Sequence, residues 1–146
     1  MIREDYIMRI IRQLGVALAR IAGFRKAGKH EEALDESGKL YDELGVPREV
    51  CDVVDTPTLA GLLKHPDKIR ALAQVCWEEG RIYQAKGDPL TSFGRLRRAL
   101  ELFREARTRA PEPDDDLAIL ELFRTVPARD LDARYQQQTM RALKSP

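Results

Sequence analysis

Apolar residues recur along this chain at steps of three and four, and nowhere do β-branched residues alternate with polar ones over a strand's length. That period is the geometry of one helix face, so the chain is expected to bury helices against helices, with no sheet. From Asp5 to about Lys26 the stripe is Ile7, Ile10, Ile11, Leu14, Leu18 and Ile21. A second stripe follows Gly28 through Ala33, Leu34, Leu40, Tyr41 and Leu44, and Gly45-Val46-Pro47 closes it. Short connections make successive helices antiparallel neighbours. The expected fold is all-α, a bundle or superhelix of antiparallel helical hairpins with about six to eight helices.

Prolines set the remaining boundaries. Pro47, Pro57 and Pro66 can each open a helix but not continue one, so residues 47–66 hold one or two short helices, with Asp55 as a cap. From Asp67 to Lys86, Ile69, Leu72, Cys76, Gly80 and Tyr83 share a face that Val75 and Ile82 widen to about half the circumference, which marks a central helix. Gly87-Asp88-Pro89 turns the chain into another long helix through Leu96, Ala99, Leu100, Phe103 and Ala106, ending near Pro111. The expected single domain therefore divides into a first hairpin (1–46), short helices (47–66), a second and longer hairpin (67–111) and C-terminal helices (112–146). The last of these is an amphipathic helix through Tyr135, Gln136, Gln137, Gln138, Met140 and Leu143.

With 43% hydrophobic and 34% charged residues in 146, the chain can build a core and keep an ionised surface. The 25 basic residues nearly balance 24 acidic ones, so bulk charge does not single out a nucleic-acid partner. The middle of the chain is mildly basic and its end mildly acidic. Arg3, Glu4 and Asp5 interrupt any secretory h-region, no apolar run reaches membrane-span length, and Cys51 and Cys76 are too few for a disulfide framework. The expectation is a cytoplasmic protein with no membrane partner.

Small and aromatic residues give a repeat signal. Gly80-x-x-Tyr83-x-x-x-Gly87 and Ala99-x-x-x-Phe103-x-x-Ala106-x-x-x-x-Pro111 have the internal spacings of the two helices of a tetratricopeptide repeat, set apart by about seven extra residues, roughly two helical turns. Phe24-x-x-x-Gly28-Lys29-His30-Glu31-Glu32-Ala33 echoes a repeat junction, with Ser37 and Leu40 in its later aromatic and alanine places. The chain thus resembles tetratricopeptide-repeat (TPR) proteins. Over roughly residues 2–110, the opening Ile2-Arg3-x-Asp5-Tyr6-Ile7-x-Arg9-x-Ile11, Leu44-Gly45 and Ala73-x-x-x-x-Glu78-Glu79-Gly80-x-Ile82-Tyr83 also resemble an uncharacterised bacterial family of small TPR-like helical proteins. That resemblance implies a fold and cytoplasmic residence but no activity and no catalytic residue.

Candidate chemistry is sparse. His30 and His65 each flank a helix boundary without a nucleophile motif, and Cys51 and Cys76 with the histidines lack metal-ligand spacing. Surface, turn and core roles explain them better. Glu112-Pro113-Asp114-Asp115-Asp116 lacks the pattern of a calcium loop and is better read as helix capping. Arg95, Arg97, Arg98, Arg104, Arg107 and Arg109 could grip phosphates, yet Arg97 with Glu101 and Glu101 with Arg104 stand at ion-pair spacing, so a solvated helix face is the simpler reading. No catalytic residue, metal or cofactor is expected.

Trp77 stands apart. Aligned through Gly80, the positions that face the concave groove of a repeat become Gln74, Trp77, Arg81 and Gln84, and in the earlier echo Leu18, Ala22 and Arg25. The alternative is that Trp77 belongs to the core beneath the C-terminal helices. The expected function is a non-enzymatic module whose groove holds a protein or peptide, a second copy of itself, or the chain's own C-terminal helix. A nucleic-acid-associated role for the 95–109 helix is the alternative.

Overall fold

The computed structural model describes residues 2–136, and over that range the chain is helical with no strand. Seven α-helices and one 3-10 turn follow in order: α1 (Ile2–Lys26), α2 (His30–Leu44), α3 (Arg48–Val53), α4 (Thr56–Leu63), α5 (Pro66–Ala85), α6 (Pro89–Arg109), α7 (Asp115–Leu122), then the turn Ala128–Asp130. Residues 133–136 are again helical. The expected last helix through Met140 and Leu143 falls outside the described residues. No helix among them is long and apolar enough to cross a membrane.

Two hairpins frame the molecule, α1/α2 and α5/α6, and both turn in the same way. Gly28 and Gly87 adopt φ of 75° and 80°, a region nearly closed to residues with a Cβ. That conformation lets the next N–H, of Lys29 or Asp88, reach back to the carbonyl of Phe24 (2.8 Å) or Tyr83 (2.9 Å). α2 ends likewise, with Val46 donating to Tyr41 at 3.1 Å past Gly45. Each aromatic-x-x-x-Gly step in the sequence is therefore a helix end. Lys86 at one turn meets Glu31 at the other, at 2.6 Å, so the two turns lie at the same end of the molecule and α1 and α5 run in the same direction.

The α5–α6 contact is the most extensive, and Gly80 makes it possible. A Cβ there would stand 2.5 Å from Leu96 Cδ2 and 2.7 Å from its Cγ. With the glycine, the helices close until Ser92 Oγ donates to the Gly80 carbonyl at 2.7 Å. Leu72, Val75, Ile82, Leu100 and Leu102 are fully buried, and α5 packs on α1, α2, α4 and α6. It is the central helix its wide apolar arc predicts. α7 lies across α6 through Ile119 and Leu122.

Candidate functional site

Between α1, α5 and α7 lies an open cleft of about 680 Å³, lined among others by Leu18, Gln74, Trp77 and Arg81. Four of the residues assigned to the groove from sequence thus come together. Arg25, Gln84 and the half-buried Ala22 do not line it. Arg25 instead pairs with Glu78, one of the lining residues, while Gln84 is exposed toward the turn. The opposite wall, which the sequence pattern did not indicate, comes from the segment Glu112–Ala118 and contributes Leu117.

Trp77 is half-buried and packs against the edge of the core. Its ring meets Phe103 of α6 edge to face, with centroids 6.0 Å apart and planes at 86°. The guanidinium of Arg81, one turn on, stacks 4.5 Å from its centroid and also reaches Glu78 at 3.4 Å. This fixes an aromatic platform before anything binds. The wall is fixed too: Arg70 grips Asp115 with two bonds of 2.8 and 3.0 Å, donates to the Ala110 carbonyl at 2.8 Å and meets Asp67 at 3.0 Å. Asp115 is 1% exposed and also accepts from the Glu112 N–H at 2.8 Å.

The acidic run does stand at a helix start, with Asp114 at the cap position and Asp115 and Asp116 in the first turn of α7, but it forms no side-chain capping bond. Asp114 makes no capping bond, and it is Asp115, pointing inward, that ties the loop to α5. Counting the cleft's charged side chains, Asp67, Glu78, Glu112, Asp114 and Asp115 face Arg70 and Arg81. Glu112 and Asp114 make no ion pair among the described residues, which leaves the rim acidic. The lining offers carboxylates, guanidiniums, an amide and apolar surface, the groups of recognition chemistry.

The most heavily buried polar cluster lies elsewhere. Glu79, fully buried on the core face of α5, accepts from Ser37 Oγ (2.8 Å), the Tyr41 hydroxyl (2.6 Å) and Arg48 Nη2 (2.8 Å), with Arg95 Nε 3.7 Å away. Burial, reinforced by Glu79, pushes the Tyr41 hydroxyl well above its usual range and the Cys76 thiol up to about 12. Burial also raises Cys51 to about 11. These thiols are inert core residues. The cluster was legible in principle, since Glu79 falls within the apolar stripe of α5, but a carboxylate in that stripe does not announce which helices will answer it.

The arginine-rich helix α6 is only in part the solvated face expected: Arg97 and Arg109 are exposed, but Arg95, Arg98 and Arg104 turn toward the fold. Arg95 reaches Asp52 at 2.7 Å, and Arg98 donates to the carbonyls of Cys51 (2.9 Å) and Val54 (2.6 Å) and to Thr56 Oγ1 (3.0 Å), closing the end of α3. Arg97 does pair with Glu101 at 3.6 Å. The expected Glu101–Arg104 pair does not form: Glu101 turns to Thr56 Oγ1 (2.7 Å) and the Asp132 N–H (2.9 Å). Arg104, 4% exposed, is left with Nε and Nη1 unpartnered among the described residues, and burial lowers its pKa.

His65 caps α5, its Nδ1 accepting from the Asp67 N–H at 3.1 Å, and His30 opens α2. No group of histidine, cysteine and carboxylate side chains placed to hold a metal ion occurs among the described residues. Set against protein-family models, curated proteins and solved structures, the chain finds no match in any of the three comparisons.

Proposed function

We propose that this protein is a TPR-like binding module whose cleft at Trp77 holds a segment of another polypeptide, without chemistry of its own. The observation that carries the reading is the half-buried Trp77–Arg81 stack opening into the cleft between α1, α5 and α7. Tryptophan and arginine are the side chains that most often dominate binding energy when a partner desolvates them, and here they are pre-ordered, so little entropy is lost on contact. The two hairpins running in the same sense, and the repeat-like steps at Gly80, Tyr83, Gly87, Ala99 and Phe103, support the TPR-like part of the reading. The resemblance to a bacterial family of such proteins supports cytoplasmic residence.

A nucleic-acid role has less to draw on. Arg95, Arg98, Arg107 and Arg109 are held by carboxylates or helix-end carbonyls, so binding phosphate would first require breaking those bonds.

The test is a tagged pull-down from nuclease-treated lysate of the source organism, comparing the wild type with Trp77→Ala/Arg81→Ala and checking by circular dichroism that the variant is folded. A stoichiometric protein retained by the wild type and lost by the variant is the expected outcome. Equal retention by the folded variant removes the cleft as the binding site.

A further inference from the structure

Resting on that reading of the cleft, we propose that its occupant is the outer face of α1 from a second copy of the chain, so that copies join head to tail. The inner stripe of α1 packs on the rest of the fold, with Leu14 and Ile21 fully buried. Its outer face carries a second row at helical spacing, Met8, Arg12, Val16 and Arg20, with Arg9 beside it. Met8 is 47% and Val16 64% exposed, and Arg9, Arg12 and Arg20 are exposed too; Arg20 pairs with Glu36 of α2 at 3.2 Å, whereas Arg9 and Arg12 make no ion pair among the described residues. A helix with apolar residues two turns apart on one face, interleaved with cations, is the kind of ligand that lies in a groove.

The cleft is its complement in both respects. Trp77, Leu18 and Leu117 supply apolar surface, and Leu117 is 67% exposed. Glu112 and Asp114 supply exposed carboxylates that form no ion pair among the described residues, although Arg70 lies close enough to feel Glu112, and the cleft's own Arg70 and Arg81 are already paired with other carboxylates. Apolar row would meet apolar floor, and the unpaired Arg9 and Arg12 would meet the acidic rim.

Geometry makes the contact intermolecular. Leu18, in the cleft, and Val16 and Arg20, on the outer face, stand about half a turn apart around α1 at ~100° per residue. One copy therefore cannot bring its own outer face to its own cleft. Because the two surfaces are different patches, the contact is heterologous, and it leaves a free cleft at one end and a free α1 face at the other. A formal charge of only +1 hides this polarity.

The experiment is light scattering behind size-exclusion chromatography on the full chain, over a range of concentration at low and high salt. The expected mass exceeds the 16.7 kDa of one copy, rises with concentration and falls with salt. Two variants at exposed positions then separate the ends. Met8→Asp/Val16→Asp spoils the α1 face and Leu117→Asp spoils the cleft. Alone, each should associate at least tenfold more weakly. Mixed, the intact α1 face of one and the intact cleft of the other should give a complex that stops at two chains.

A wild type that stays at one copy throughout overturns the proposal, as does self-association that survives in either variant alone. So does a mixture of monomeric variants that forms no pair, which would mean a symmetric contact. The cleft reading fails separately: a chain that stays single yet captures a partner dependent on Trp77 and Arg81 refutes only the second copy. Head-to-tail pairs indifferent to Trp77→Ala/Arg81→Ala refute the Trp77–Arg81 cleft itself.

Discussion

Glu79 occupies a place where the pattern of α5 asks for a hydrocarbon, and four side chains from three other helices or their ends turn inward to meet it. Its carboxylate balances Arg48 and Arg95, both partly withdrawn from water. Glu79→Gln keeps the shape and removes the charge, leaving two guanidiniums without that counter-ion. The expected cost is about 3 kcal/mol, visible as a lower urea midpoint with unchanged slope. A shift within the scatter of surface substitutions would mean that the cluster fills space without contributing electrostatically. The thiols nearby give a test in alkali. Cys51 and Cys76 stay protonated in the native state up to about 11 and about 12, against 9.0 for an unperturbed thiol. Their contribution is whole below pH 9 and is lost as pH rises through the native values, because the unfolded chain releases those protons first. Unfolding free energy should therefore fall from pH 9 upward, by at most about 1.4 kcal/mol per pH unit for each thiol. The Cys51→Ala/Cys76→Ala variant should show a flatter line between pH 9 and 10, before the raised tyrosine hydroxyls Tyr41 and Tyr135 add their own loss. An identical slope in both proteins would contradict the burial of the thiols.

At the scale of helices, the α5–α6 crossing depends on one missing methyl group. Gly80→Ala gains helix propensity of roughly 1 kcal/mol but drives a Cβ into the branch point of Leu96, a buried and poorly yielding neighbour. Net destabilisation of about 1–3 kcal/mol is expected, and Leu96→Ala in the same chain should recover part of it, giving a non-zero coupling in a double-mutant cycle. Strict additivity would mean that the two helices are not held at this point. Gly80 and the three glycine helix ends were legible in the sequence because each expresses a backbone requirement that only local spacing has to satisfy. The cleft's inner wall was legible for a related reason, since Gln74, Trp77 and Arg81 lie on one face of one helix. Its outer wall was not, and neither were the partners of Glu101 and Arg104. Helical spacing places Arg104 next to Glu101, but it cannot foresee that Thr56 and the backbone of Asp132 will claim that carboxylate first. Competition between helices decides such pairs, and no periodicity within one helix encodes its outcome. Asp115 is the same case: one acid in a run of three turns inward because Arg70, far away in sequence, is there to receive it.

For the molecule as a whole, the binding surface belongs to no single hairpin. α1 and α5 give its floor, but the loop and helix that form its far wall are held to α5 chiefly by Arg70, whose bonds to Asp115 and Ala110 span from the start of α5 to the start of α7. Removing that side chain leaves Asp115 buried without its cation and the Ala110 carbonyl without that donor, while the α5–α6 core and the Trp77 stack are untouched. Arg70→Ala should therefore loosen one wall and not the scaffold. Hydrogen exchange would show this as faster exchange of amides in residues 112–122, with those of Leu72–Cys76 and Ala99–Phe103 unchanged. Arg70→Lys should rescue little, because an ammonium cannot reproduce the two-pronged bond to Asp115 together with the carbonyl contact. If the wall is part of the binding surface, both variants should weaken the capture that depends on Trp77, although neither alters a residue of the aromatic platform. Uniform loss of protection along the chain would instead make Arg70 a determinant of global stability. Undiminished capture by a chain with a loosened wall would confine the recognition surface to α1 and α5.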